Sequence, residues 1–106
     1  MERLSRIDML IEMLKNEPND LFLNYALGIE YVAELSLQDA EFQFKKTLEL
    51  DVNYIAAYYQ LGKLFESQLK IVEALHYFKL GLQIAKEQKN NKAVNEFGEA
   101  VFMLKD

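Results

Sequence analysis

His76 and Glu73 are the pair in this 106-residue sequence whose types and spacing come nearest to acid–base or metal chemistry. An imidazole one helical turn from a carboxylate can serve as a base or take up a metal ion. Neither use is completed here: His76 is the sole histidine, cysteine is absent, and the other carboxylates are scattered. His76 also falls on a helix position expected to face solvent. Glu30 with Glu34, and Asp39 with Gln43, recur at i and i+4 and read as solvated helix faces. No Gly-rich phosphate loop, nucleophile motif or ligand cluster is present. The net charge is −5, and Lys45-Lys46 and the run Lys86, Lys89, Lys92 are sparse. Nucleic acid and anionic membranes reward clustered cations, so neither is expected as a partner. The residues point to no enzyme, no cofactor and no metal.

The remaining chemistry is that of binding surfaces, and the elements that would carry them are set by a repeat. The stretch from Phe22 can be laid over the stretch from Ala56, with a period of 34 residues. Leu27-Gly28 then aligns with Leu61-Gly62, Tyr31 with Phe65, Ala40 with Ala74, Phe44 with Phe78, Leu48 with Leu82 and Leu50 with Ile84. A fixed period of this size is the mark of stacked helix pairs. Hydrophobic residues make up 51% of the chain, with one proline and four glycines, which suits a single all-helical domain with short links. The first residues lack the apolar stretch of a signal peptide, and the longest uncharged run, 52–62, is too short to span a membrane. A cytoplasmic protein is the default expectation.

Six helices are predicted. The first, within 1–16, carries Leu4, Ile7, Leu10, Ile11 and Leu14 on one face, with Ser5 and Asp8 as a capping pair. Pro18 ends it, and Asp20 caps a second helix over about 21–34. Gly28 lies inside that helix, where glycine costs about 1 kcal/mol relative to alanine, so a close neighbour is expected. After a corner at Leu35–Leu37, a third helix covers about 38–50. Asn53 is expected to cap the fourth, about 54–68, where Gly62 repeats the role of Gly28. The fifth, about 71–87, should bury Ile71, Leu75, Phe78 and Leu82. The sixth, about 91–105, follows Asn90-Asn91 and places Val94, Phe97, Val101 and Leu104 on one side. Met9, Met13 and Met103 are expected to fill gaps beside the end helices.

With these residues in view, the chain resembles the tetratricopeptide-repeat family over about 21–86. Tyr58, Leu61, Gly62, Phe65, Ala74, Phe78 and Gly81 match that family's pattern in one unit. Leu27, Gly28, Tyr31, Ala40 and Phe44 match it in the other, with Asn24 and Thr47 departing from it. Leu35 and Leu69 stand at the turn where the family prefers glycine, which implies corners that are either strained or of another type. The resemblance implies a right-handed α-solenoid of antiparallel helix pairs, a TPR-like superhelix. Its parts would be a half-repeat helix (1–20), two repeats (21–54 and 55–88) and a capping helix (89–106).

The resemblance also implies a function: a non-catalytic adaptor or scaffold that binds a peptide or helix of a partner protein in a concave groove. By position, Phe22, Tyr25, Ile29, Tyr59, Lys63, Asn95 and Phe102 would contact the partner as an exposed apolar stripe with polar edges. Some co-chaperones of this family grip a C-terminal carboxylate with lysine, asparagine and arginine. The matching positions here hold Tyr25, Ile29 and Gln60, or Tyr59 and Lys63 one unit later, so that clamp is not expected. The alternative is a self-associating module, a homodimer in which end helices bearing Phe102 and Met103 close the groove.

Overall fold

The structure is a computed structural model that describes residues 5–105. Among the described residues there are six helices and no strand: α1 (Arg6–Asn16), α2 (Leu21–Ala33), α3 (Leu37–Leu50), α4 (Ile55–Ser67), α5 (Ile71–Glu87) and α6 (Asn91–Leu104). Leu4, assigned to the first helix face, lies outside the described residues. The chain divides into two compact units, the first ending at Val52 and the second starting at Asn53.

In the first unit α2 packs against α1 and α3. Ser5 and Asp20 cap α1 and α2 as expected, their side chains accepting from Asp8 N at 3.1 Å and Leu23 N at 2.8 Å. Arg6 Nε meets Glu30 Oε1 at 2.6 Å, which ties α1 to α2. Glu30 is therefore one half of an inter-helix ion pair rather than part of a merely solvated face. Asn24 is buried because its amide donates to the carbonyls of Pro18 (3.1 Å) and Asp20 (2.8 Å), which binds the start of α2 to the turn before it. Thr47 is likewise buried, with its hydroxyl donating to the Gln43 carbonyl at 2.8 Å. Both departures from the family pattern thus satisfy their polar atoms locally.

The core of this unit rests on one close approach. The ring of Phe44, fully buried on α3, lies on the backbone of α2 at Gly28, and a Cβ built there would sit 2.5 Å from its Cε1. The second unit repeats this contact twice. Phe78 of α5 lies on Gly62 of α4, and Phe97 of α6 lies on Gly81 of α5. The mid-helix glycines thus remove the one carbon that would hold the rings away.

In the second unit α5 packs between α4 and α6. Asn90 caps α6, its side chain accepting from Ala93 N at 3.1 Å. The expectation that Asn53 caps α4 is corrected: the N-cap position is Tyr54, and the first turn closes from Ala57 N to the Tyr54 carbonyl at 3.1 Å. The Asn53 carbonyl instead accepts from Gln88 Nε2 at 2.9 Å, across the unit from the end of α5.

Three corners share one construction. Leu35, Leu69 and Lys89 have φ of 59°, 61° and 57°, in the left-handed region. After each, the next amide reaches back to the carbonyl five residues before it: Ser36 to Tyr31, Lys70 to Phe65 and Asn90 to Ala85, at 2.9–3.0 Å. These are Schellman turns with a side chain where glycine is usual. Leu35 and Leu69 are 80% and 83% exposed, so little packing offsets the backbone strain.

Two predictions follow from these features. Gly62→Ala should destabilise by about 1–3 kcal/mol, since Phe78 has nowhere to move. Gly98, whose added Cβ would meet nothing within 4 Å, should instead tolerate alanine and gain up to about 1 kcal/mol of helix propensity. Denaturant unfolding of the two variants checks the contrast. By the same measurement, Leu69→Gly should leave stability unchanged or raise it by about 1 kcal/mol, as relief at φ 61° offsets the added freedom of the unfolded chain.

Candidate protein-binding surface

The expected contact residues fall in both units. On α2 of the first unit, Phe22, Tyr25 and Ile29 share a face by their spacing. Phe22 is 71% exposed, whereas Tyr25 and Ile29 are half-buried. The Tyr25 ring leans on Phe44 with centroids 5.7 Å apart, so the core ring supports it from behind. Phe22 lines a shallow hollow of about 370 Å³ with Met13, Asn16 and Asp20 at the α1–α2 link.

The second unit holds the better-formed site. Tyr59, Lys63 and Glu66 stand at i, i+4 and i+7 on α4; Glu96, Glu99, Ala100 and Met103 stand at i, i+3, i+4 and i+7 on α6. Together they line a cleft of about 320 Å³. This face of α6 is available because Ala93, Phe97 and Val101 form its buried stripe. Tyr59 is half-buried, with its ring 5.7 Å from Phe78 and 5.6 Å, edge-on, from Phe97. Two core rings therefore hold the cleft's aromatic wall in place. Lys63 Nζ lies 3.7 Å from Glu66 Oε1, and both side chains are partly exposed. Among the described residues, neither Glu96 nor Glu99 takes part in an ion pair.

Of the four residues expected here, Tyr59 and Lys63 meet in the cleft, while Asn95 and Phe102 lie outside its lining. Asn95 is exposed, and Phe102 is 76% exposed. The expected exposed apolar stripe is only partly exposed, because Tyr25, Ile29 and Tyr59 each give part of their surface to packing. Sequence reasoning passed over Glu96 and Ala100, and placed Met103 as a gap-filler or a self-association residue but not in this cleft. Their helical spacing was the available signal, but it became visible only once Phe97 was assigned to the core. The expectation that Met9, Met13 and Met103 fill gaps is corrected: they are 44%, 53% and 72% exposed, off the packing stripes of α1 and α6.

His76 is exposed, its ring edge-on to Tyr77 at 5.2 Å. Among the described residues, no three His, Cys, Asp or Glu side chains are placed to hold a metal ion. Nor is any helix among them long and apolar enough to cross a membrane.

With this geometry in view, comparison with solved structures is decisive. A tetratricopeptide repeat domain protein from Salinibacter ruber, solved in solution, is 30% identical to the chain, which covers 89% of it with 83% of its own length at a TM-score of 0.78. The chain belongs to the tetratricopeptide-repeat family. Its all-α architecture is the one this family shares. Two further structures show the same fold. A Bordetella parapertussis protein is 22% identical, with a TM-score of 0.84 over 96% of this chain and 89% of that one. The TPR2B domain of yeast Sti1, solved in complex with pHsp70, is 18% identical with a TM-score of 0.84 over 92% of this chain and 78% of that one. No protein-family model matches the chain, and no curated protein does.

The tetratricopeptide-repeat pattern treats the residue at Tyr59 as free of the core, and here it is not. Tyr59→Ala should remove two ring contacts and lower stability by about 1–3 kcal/mol, whereas Tyr59→Phe should change it by less than about 1 kcal/mol. Thermal unfolding followed by circular dichroism distinguishes these outcomes.

Proposed function

We propose that this tetratricopeptide-repeat protein is a non-catalytic adaptor that binds a peptide or helix of another protein. The observation that carries the reading is the α4–α6 cleft, whose aromatic wall is braced by the core while apolar and charged side chains remain open to solvent. Rigid aromatic anchors within a rim of polar groups are the usual makings of an interaction site. The family supports it too: the TPR2B domain of yeast Sti1, alike in fold, is solved in complex with pHsp70. Phe22, Tyr25 and Ile29 on α2 would offer a partner a second apolar contact in the first unit.

A second reading is favoured by one observation. Phe102 and Met103 are adjacent on α6 and are 76% and 72% exposed, a pair that association of two copies would cover. A mass that rises with concentration would support this reading.

The test of the adaptor reading is affinity capture from the source organism's lysate, comparing the wild type with a Phe102→Asp, Met103→Asp variant. Both residues are exposed, so the variant should keep its helicity. We expect a partner held by the wild type and lost by the variant. Equal capture by both proteins would overturn the use of this face.

A further inference from the structure

We propose that the α4–α6 cleft selects a basic segment, one in which an arginine or lysine stands beside an apolar residue. The inference rests on the cleft being the binding site, and it adds the chemistry of the occupant.

The lining carries three carboxylates, Glu66, Glu96 and Glu99, against the single ammonium of Lys63. Lys63 is already engaged by Glu66 at 3.7 Å. Glu96 and Glu99 stand at i and i+3 on α6, and among the described residues neither takes part in an ion pair. A cationic side chain arriving there gains both carboxylates. Arginine suits it best, since its planar fork can address two carboxylate oxygens together.

The rest of the cleft asks for something apolar beside that charge. Ala100 and Met103 lie on the same face of α6, one turn beyond the carboxylates, and Met103 is 72% exposed. A thioether on a flexible stem adapts to the shape of an incoming apolar side chain. The fixed ring of Tyr59 opposite supplies an aromatic surface for either an apolar group or a guanidinium. An acidic segment is disfavoured, for it would set its carboxylates among three others. The chain's net charge of −5 acts in the same direction over longer range and speeds the approach of a basic partner.

The experiment uses the intact protein with methyl-labelled alanine and methionine, followed by NMR. The probe is a capped short peptide in which leucine and arginine alternate. Its controls have glutamine or glutamate in place of arginine. We expect the arginine peptide to shift the Ala100 and Met103 methyl resonances and to bind about tenfold or more tightly than the glutamate peptide at low salt, with the difference shrinking as salt rises. In a Glu96→Gln, Glu99→Gln variant the preference should fall to near parity. Both positions are exposed, so the fold should persist, which the unchanged dispersion of the other methyls would report. Equal or tighter binding of the glutamine or glutamate peptide would overturn the charge selection while leaving the cleft a binding site. An unchanged preference in the double variant would overturn it too. If the arginine peptide leaves the cleft methyls unmoved, the proposal fails, and lysate capture still decides separately whether this face binds protein.

Discussion

The constraint on which each unit depends is a phenyl ring resting on a bare helix backbone. Phe44 meets α2 at Gly28, Phe78 meets α4 at Gly62, and Phe97 meets α5 at Gly81. Helices ordinarily stand about 8–10 Å apart, at a distance set by the side chains between them. Removing a Cβ at the crossing lets a full ring occupy the interval without a void, and close packing of that kind carries much of a small core's stability. The tyrosines then lean on the same rings at tilted or edge-on angles: Tyr25 on Phe44, and Tyr59 on Phe78 and Phe97. Core and surface are therefore not independent layers. The wall of the cleft is positioned by the same residues that hold the helices together.

The polar features follow a different logic, being local and mostly within reach of the same turn. Asn24 and Thr47 return their hydrogen bonds to carbonyls at most six residues away. The Schellman corners satisfy helix-end carbonyls with the next two amides, so that three-residue links suffice between α2 and α3 and between α4 and α5. Polar contacts that reach between different helices or corners include Arg6 with Glu30 and Gln88 with the Asn53 carbonyl.

Much of this was legible in the sequence, and for stated reasons. Helix bounds came out within one or two residues for α2 to α6, because a strict repeat and clear caps at Asp20 and Asn90 constrain them. Leu35 and Leu69 stood out as residues in a position that wants glycine, but whether the corners were strained or of another type was settled only by their positive φ. Asn53 misled because a good capping residue lay one place before the actual N-cap, where Tyr54 and a tightened first turn took its role. The exposed stripe was overdrawn because spacing tells which face a residue is on, not how far a ring leans across it. Tyr59 leans far enough to touch two core rings, and that is a tertiary fact. Met103 was read two ways, as a gap-filler and as an exposed end-helix residue, and methionine is used both to fill gaps and to meet partners.

Within each unit the most extensive packing joins helices consecutive in sequence: α1 with α2, α2 with α3, α4 with α5, and α5 with α6. Forming such contacts closes only short loops, and loop closure is the entropic toll that slows folding. Chains of local contacts and helices commonly fold in about microseconds to milliseconds. The same locality makes the rate insensitive to what happens far along the chain. A defect at one crossing, such as an overfilled glycine, should raise the opening rate of its own helix pair first. In this protein, speed and neighbourly damage are two consequences of one wiring diagram.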